Sequence, residues 1–76
     1  MIKIGIIGAL GKMGKEVTRA IINADDMELS AAIDITGEGL DIGQCAAGKD
    51  CGIKVETNTE KALKEKKVDV VIDFTQ

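Results

Sequence analysis

Hydrophobic and polar positions divide this chain into short, regularly alternating segments. Ile2-Lys3-Ile4-Gly5-Ile6-Ile7 is almost continuously apolar, the pattern of a strand covered on both faces. From Gly11 or Lys12 to Ala24 the apolar residues Met13, Val17, Ala20, Ile21 and Ala24 recur at intervals of three and four, which predicts a helix with one buried stripe. Asn23 to Asp26 marks its end. A second strand follows at about Met27 to Asp34, with Leu29, Ala31, Ala32 and Ile33 as its apolar part. Thr36 to Gly52 has no long period, and within it Asp41 to Ala47 can supply one helical turn. A third strand is expected at about Ile53 to Thr57. Thr57-Asn58-Thr59-Glu60 fits a capping box for a helix from about Thr59 to Lys66 that turns Ala62 and Leu63 inward. Val68 to Phe74 is the fourth strand, again nearly all apolar.

Three glycines spaced three apart, Gly8, Gly11 and Gly14, join the first strand to the first helix. Gly8 permits a tight turn, Gly11 lets backbone lie against a diphosphate, and Gly14 lets helix pack closely on strand. The free N–H groups of the helix N-terminus then point at an anion. A strand–helix–strand unit in the right order surrounds the triplet, so the segment reads as a dinucleotide-binding turn and not merely as a structural one. Lys12 and Lys15 stand where acids are usual, and no Ser, Thr, Asp or Asn caps this helix. A phosphate would account for both, with pairing of Lys12 to Glu16 as the plainer alternative. Asp34 lies 20 residues beyond Gly14, where an acid accepts hydrogen bonds from adenosine ribose hydroxyls and repels a 2′-phosphate. The alternative for Asp34 is a strand-end cap. Asp73, Phe74 and Thr75 close the fourth strand at the ligand-binding edge, although Phe74 fits equally as core.

The predicted architecture is α/β: half of a doubly wound, Rossmann-type sheet, with four parallel strands in the order 3-2-1-4 and right-handed crossovers. The 76 residues make one partial dinucleotide-binding domain, small enough for marginal stability. A net charge of −3 with a single aromatic residue, Phe74, argues against nucleic acid. No apolar stretch approaches a membrane span, and no secretory signal is present, so a cytoplasmic protein is expected. With no His, and Cys45 and Cys51 as the only cysteines, neither a metal site nor an acid–base pair can be assigned.

Gly8-Ala9-Leu10-Gly11-Lys12-Met13-Gly14, Ala32-Ile33-Asp34 and Val71-Ile72-Asp73-Phe74-Thr75 together resemble the start of the dihydrodipicolinate reductases, also called 4-hydroxy-tetrahydrodipicolinate reductases. Asp41-Ile42-Gly43 resembles that family's loop before the third strand. The resemblance implies that Gly8, Ala9, Leu10, Gly11, Lys12 and Met13 hold a nicotinamide dinucleotide, with Asp34 on the ribose and Phe74 at the same edge. It implies hydride transfer to a cyclic imine, or its hydrated form, in lysine and diaminopimelate biosynthesis, and a homotetramer in the full-length enzymes. Ile35 stands where some members carry a base, so NAD(H) is expected, with NADP(H) as the alternative. Nothing in the 76 residues matches the family's substrate domain. The chain is therefore expected to be an amino-terminal piece that binds cofactor, does not catalyse alone and self-associates through the edge of the fourth strand. The competing readings are a stand-alone dinucleotide-binding module and the start of another NAD(P)-dependent dehydrogenase.

Overall fold

The computed structural model describes residues 1–75. The chain runs β1 (Ile2–Ile7), α1 (Lys12–Ile22), β2 (Met27–Ile33), α2 (Ile42–Ala47), β3 (Val55–Glu56), α3 (Thr59–Glu65) and β4 (Val70–Asp73). One four-stranded sheet has the order β3-β2-β1-β4, and every strand pairing is parallel. This is the expected α/β arrangement and the expected strand order. Parallel strands need crossovers, and the three helices supply them.

β1 and β2 are the two inner strands, and their apolar stretches Ile4–Ile6 and Ala31–Ile33 are buried. Ile4 and Ile6 of β1 pack with Leu29 and Ala32 of β2, Ile21 of α1, Ile42 of α2 and Val55 of β3 in the main core. Ile6, Ile33, Ile42 and Val55 are fully buried, each worth roughly 1.5–3 kcal/mol of transfer free energy. Gly5 lies beneath Val68, whose Cγ1 would sit 3.2 Å from any Cβ added there. The register slips by one between Ile4 and Gly5, leaving Ser30 unpaired as a bulge in β2.

The stripe that α1 buries differs from the expected one. Gly14, Thr18 and Ile21 are buried, while Met13 is 54% exposed and Ala20 faces solvent. The helix is rotated so that its smallest residue meets the glycine turn. Thr18 fits this stripe by size, and its hydroxyl has no partner. α1 ends at Ile22 with Asn23 as C-cap. Its Arg19 donates to the Ala46 carbonyl at 2.7 Å, tying α1 to the last turn of α2.

Two strand boundaries and one helix cap also differ from the expected ones, although α3 begins at Thr59 as expected. β3 contains only Val55 and Glu56, not residues 53–57, because the backbone before it pairs elsewhere. The Ile53 carbonyl accepts from Ile42 N–H at 2.9 Å, and Lys54 bridges to Asp41. The N-cap of α3 is Asn58, which accepts from Lys61 N–H at 3.0 Å, and not Thr57. The Thr57 hydroxyl and N–H both donate to Glu38 Oε1, each at 2.8 Å, which holds the Glu38 carboxyl below its ordinary range. β4 pairs regularly from Val70 and not from Val68, because the Asp69 side chain accepts from Lys3 N–H at 2.8 Å in place of a strand carbonyl.

Asp41 organises the long segment between β2 and β3. Its Oδ1 accepts from Gly43, Gln44 and Cys51 N–H groups at 2.8, 3.3 and 3.0 Å, and its Oδ2 from Gly52 N–H at 2.9 Å. Four backbone donors on one carboxylate, Cys51 foremost, hold its pKa down to about 2. The single helical turn expected here is therefore built on a residue that caps α2 and closes the following loop at once.

Candidate cofactor-binding site

The glycine turn lies at the carboxyl end of the sheet, between the tips of β2 and β4. Gly8 has φ +83°, a conformation that a side chain disfavours. The Cβ of any replacement would also stand 3.4 Å from the backbone of Phe74. The N–H groups of Gly8 and Ala9 both donate to the Ile33 carbonyl, at 2.8 and 3.0 Å. Gly11 N–H turns back onto the Gly8 carbonyl at 3.1 Å. These bonds make a tight crown whose far side opens onto α1.

Gly11 and Gly14 do different work. A Cβ at Gly14 would overlap the Gly8 carbonyl oxygen and lie 2.9 Å from both Cα and O of Ala9. Gly14 thus brings α1 down onto the turn. A Cβ at Gly11 would meet only Gly8 O, at 3.4 Å, an ordinary contact. Gly11 is exposed, so the space above it is free on the solvent side. The fold itself has no need of a glycine there.

Electrostatics point the same way. Gly11, the N-cap of α1, makes no side-chain capping bond, and the first turn holds no acid. The first N–H groups of any helix have no intrahelical acceptor, and here they carry the positive end of the helix dipole. The exposed Lys12 adds a full charge beside them. An oxyanion is the group that such a cluster of donors accepts.

Asp34 follows directly on β2 and is half-buried. Its Oδ2 accepts from Leu10 N–H at 2.8 Å and its Oδ1 from Ile35 N–H at 2.7 Å. The strand-end cap is therefore present, and each oxygen keeps a further lone pair for a hydroxyl donor. Ile35 is 86% exposed beside it. Leu10 leans over the next segment: a Cβ on Gly37, itself at φ +85°, would fall 2.6 Å from Leu10 Cδ1.

Beyond β4, Phe74 N–H donates to the Ile7 carbonyl at 2.9 Å, and the half-buried Phe74 ring packs against the core. Asp73 Oδ1 accepts from the Thr75 hydroxyl at 2.5 Å and from Thr75 N–H at 2.8 Å. Those two bonds, the hydroxyl first, keep the Asp73 carboxyl below its usual range. The structure thus gathers Gly8, Ala9, Leu10, Gly11, Lys12, Met13, Asp34 and Phe74 around one edge of the sheet.

A cleft of about 560 Å³ lies elsewhere, at the amino ends of β1 and β2, lined by Met1, Ile21, Met27, Leu29, Cys51 and Ile53 among others. It shares no residue with the glycine turn. Among the described residues no three His, Cys, Asp or Glu side chains gather as metal ligands, Cys45 and Cys51 are free, and no helix is long and apolar enough to cross a membrane.

Sequence reasoning located every member of this edge but missed the bond between Asp34 and Leu10. The only signal in the sequence was the general tendency of aspartate to bind nearby N–H groups, which does not say which ones.

Residues 2–76 match the family described as "Dihydrodipicolinate reductase, N-terminus". Among curated relatives, the chain is 43% identical over 77 residues to the 4-hydroxy-tetrahydrodipicolinate reductase of Methanosarcina barkeri, covering 99% of this chain and 29% of that protein. It is 42% identical over 80 residues to the reductase of the same name from Methanobrevibacter smithii, with 99% and 29% covered. It is 43% identical over 75 residues to that from Desulfitobacterium hafniense, with 97% and 28% covered. The 76 residues thus span about three tenths of the length of these relatives.

Proposed function

The chain belongs to the dihydrodipicolinate reductase family, and on that premise we propose that it is the cofactor-binding part of a 4-hydroxy-tetrahydrodipicolinate reductase. The observation that carries this reading is the contrast between the two glycines of the turn. Gly14 is required by packing, whereas Gly11 stands over free space where the fold itself would tolerate a side chain. A diphosphate laid across that space is what makes a glycine necessary.

The residues fit a nicotinamide dinucleotide. The uncapped first turn of α1 and Lys12 would take the diphosphate. The remaining lone pairs of Asp34 would accept from the adenosine ribose hydroxyls. Gly8 through Met13 form the wall between, and Phe74 closes the β4 side. When bound, the cofactor supplies a hydride, which in this family passes to a cyclic imine on the lysine and diaminopimelate route. The part of this chain is to bind and orient that cofactor. Among the 76 residues there is no His and no acid–base pair at the site, so turnover is assigned to the remainder of the enzyme. The cytoplasm is the setting that fits such a biosynthetic step.

The cofactor of choice is NAD(H). Asp34 would oppose a 2′-phosphate, and the neighbouring Ile35 brings no cation to offset that repulsion. Titration calorimetry of the 76-residue chain with NADH and NADPH tests both levels of the reading. Binding of NADH with weaker binding of NADPH is expected. Tighter NADPH binding refutes the preference, and failure of both to bind at millimolar concentration refutes the cofactor role.

A further inference from the structure

Resting on that cofactor reading, we propose that Asp34 is also the latch of the glycine turn, a positioning residue that couples recognition of the ribose to the shape of the diphosphate site. Three consecutive N–H groups of the turn hang from the tip of β2. Gly8 and Ala9 donate to the Ile33 carbonyl, and Leu10 donates to Asp34 Oδ2 at 2.8 Å. The first two bonds are backbone to backbone and survive any substitution that keeps the sheet. The third depends on one side chain. Without it the crown is tied to β2 at Gly8 and Ala9 only, and although Gly11 N–H still closes the turn on Gly8 O, the Ala9–Leu10 peptide loses its own anchor just before the residues that face the ligand.

The carboxylate is itself held in place. Ile35 N–H donates to Oδ1 at 2.7 Å, so one oxygen is tied to the chain after β2 and the other to the turn. The Leu10 side chain also rests against Gly37, a second contact between the same two segments. A charge-assisted bond of this kind, partly shielded from water, is stronger than one between neutral groups.

Specificity follows from the latch. A dinucleotide bearing a 2′-phosphate would be accommodated most simply by swinging Asp34 aside. That movement releases Leu10 N–H and loosens the diphosphate site in the same step. Discrimination against the 2′-phosphate is therefore built into the scaffold of the turn and is not a matter of one charge alone.

The test separates the latch from the ribose contact by using 2′,3′-dideoxy-ADP, which keeps the diphosphate and lacks the ribose hydroxyls, beside NADH. Asp34→Ala is expected to weaken dideoxy-ADP by roughly tenfold, since it removes a charge-assisted bond that shapes the site. Asp34→Asn keeps one oxygen for Leu10 N–H but turns its NH2 toward Ile35 N–H, so its affinity for dideoxy-ADP should fall between those of wild type and Asp34→Ala. If Asp34→Ala binds dideoxy-ADP as wild type does and loses only NADH, Asp34 acts through the ribose alone and the latch is refuted while the cofactor role stands. If wild type binds neither ligand, the cofactor role falls. Amide hydrogen exchange needs neither ligand nor variant. The Leu10 N–H of the wild-type chain should exchange at least tenfold more slowly than those of Lys12 and Met13, and equal rates overturn the latch. Exchange also decides the matter if Asp34→Ala fails to fold.

Discussion

Gly11 and Gly14 lie three residues apart in one turn, yet the same substitution should do opposite things at each. At Gly14 a valine has no room. Its Cβ would overlap Gly8 O and stand 2.9 Å from two atoms of Ala9, and these are backbone atoms that cannot rotate away. Two more methyl carbons add to the overlap. Overpacking of a tight site costs about 1–3 kcal/mol and sometimes more, and displacing Gly8 O also strains the bond that it accepts from Gly11 N–H. A part of this is returned because valine is a few tenths of a kcal/mol better than glycine within a helix. The net loss should be about 2–3 kcal/mol, or roughly 8–24 °C in Tm for a domain of this size.

At Gly11 the Cβ meets only Gly8 O at 3.4 Å, and the backbone there, at φ −71° and ψ 167°, suits any residue. The cost is limited to the poorer N-cap, about 0.5–1 kcal/mol. Nucleotide binding should nevertheless disappear, because the side chain occupies the space over the turn. Urea denaturation of both variants, followed by calorimetric titration of NADH into whichever remains folded, checks the argument. Equal destabilisation of the two variants would show that the turn is packed alike at both positions. A folded Gly11→Val variant with wild-type affinity would show that nothing lies against Gly11.

Stability should fall with acid as Asp41 titrates. Its folded pKa of about 2 lies below the ordinary 3.8, so its contribution is complete above pH 4 and is lost as the pH drops through about 2. Urea midpoints measured across that window should flatten in Asp41→Asn. Lys12→Ala should weaken NADH binding by about 1 kcal/mol, consistent with one exposed phosphate contact, and should reduce the salt dependence of the affinity. If stability falls while affinity holds, Lys12 serves pairing with Glu16 instead. The 76-residue chain should self-associate at micromolar concentration, because β4 is an edge strand whose Val70 and Val71 are 46% and 44% exposed. Sedimentation velocity should show a dimer that Val71→Lys dissociates, and a monomer in the wild-type chain would refute pairing through that edge.

Strand order, helix placement and the position of the glycine turn were legible in the sequence because each depends on near neighbours. Continuous apolar runs such as Ile2–Ile7 demand burial on both faces, the helices between successive strands supply the crossovers that parallel pairing needs, and crossovers of that kind have one hand. Gly8, Gly11 and Gly14 declare themselves by spacing alone. Which of several satisfactory local partners a residue takes was decided only in three dimensions. Thr57 suits an N-cap, but Glu38, 19 residues earlier, takes its hydroxyl and leaves the cap to Asn58. Ile53 suits a strand, but its carbonyl serves Ile42, so β3 is cut to two residues. Met13 suits a buried stripe, but α1 turns Gly14 inward because only a glycine permits contact with the Gly8 carbonyl. Asp34 was visible as a ligand-facing acid, while its bond to Leu10 spans 24 residues. Backbone donors compete for the same few acceptors, and the winner is the one that the folded sheet brings within 3 Å.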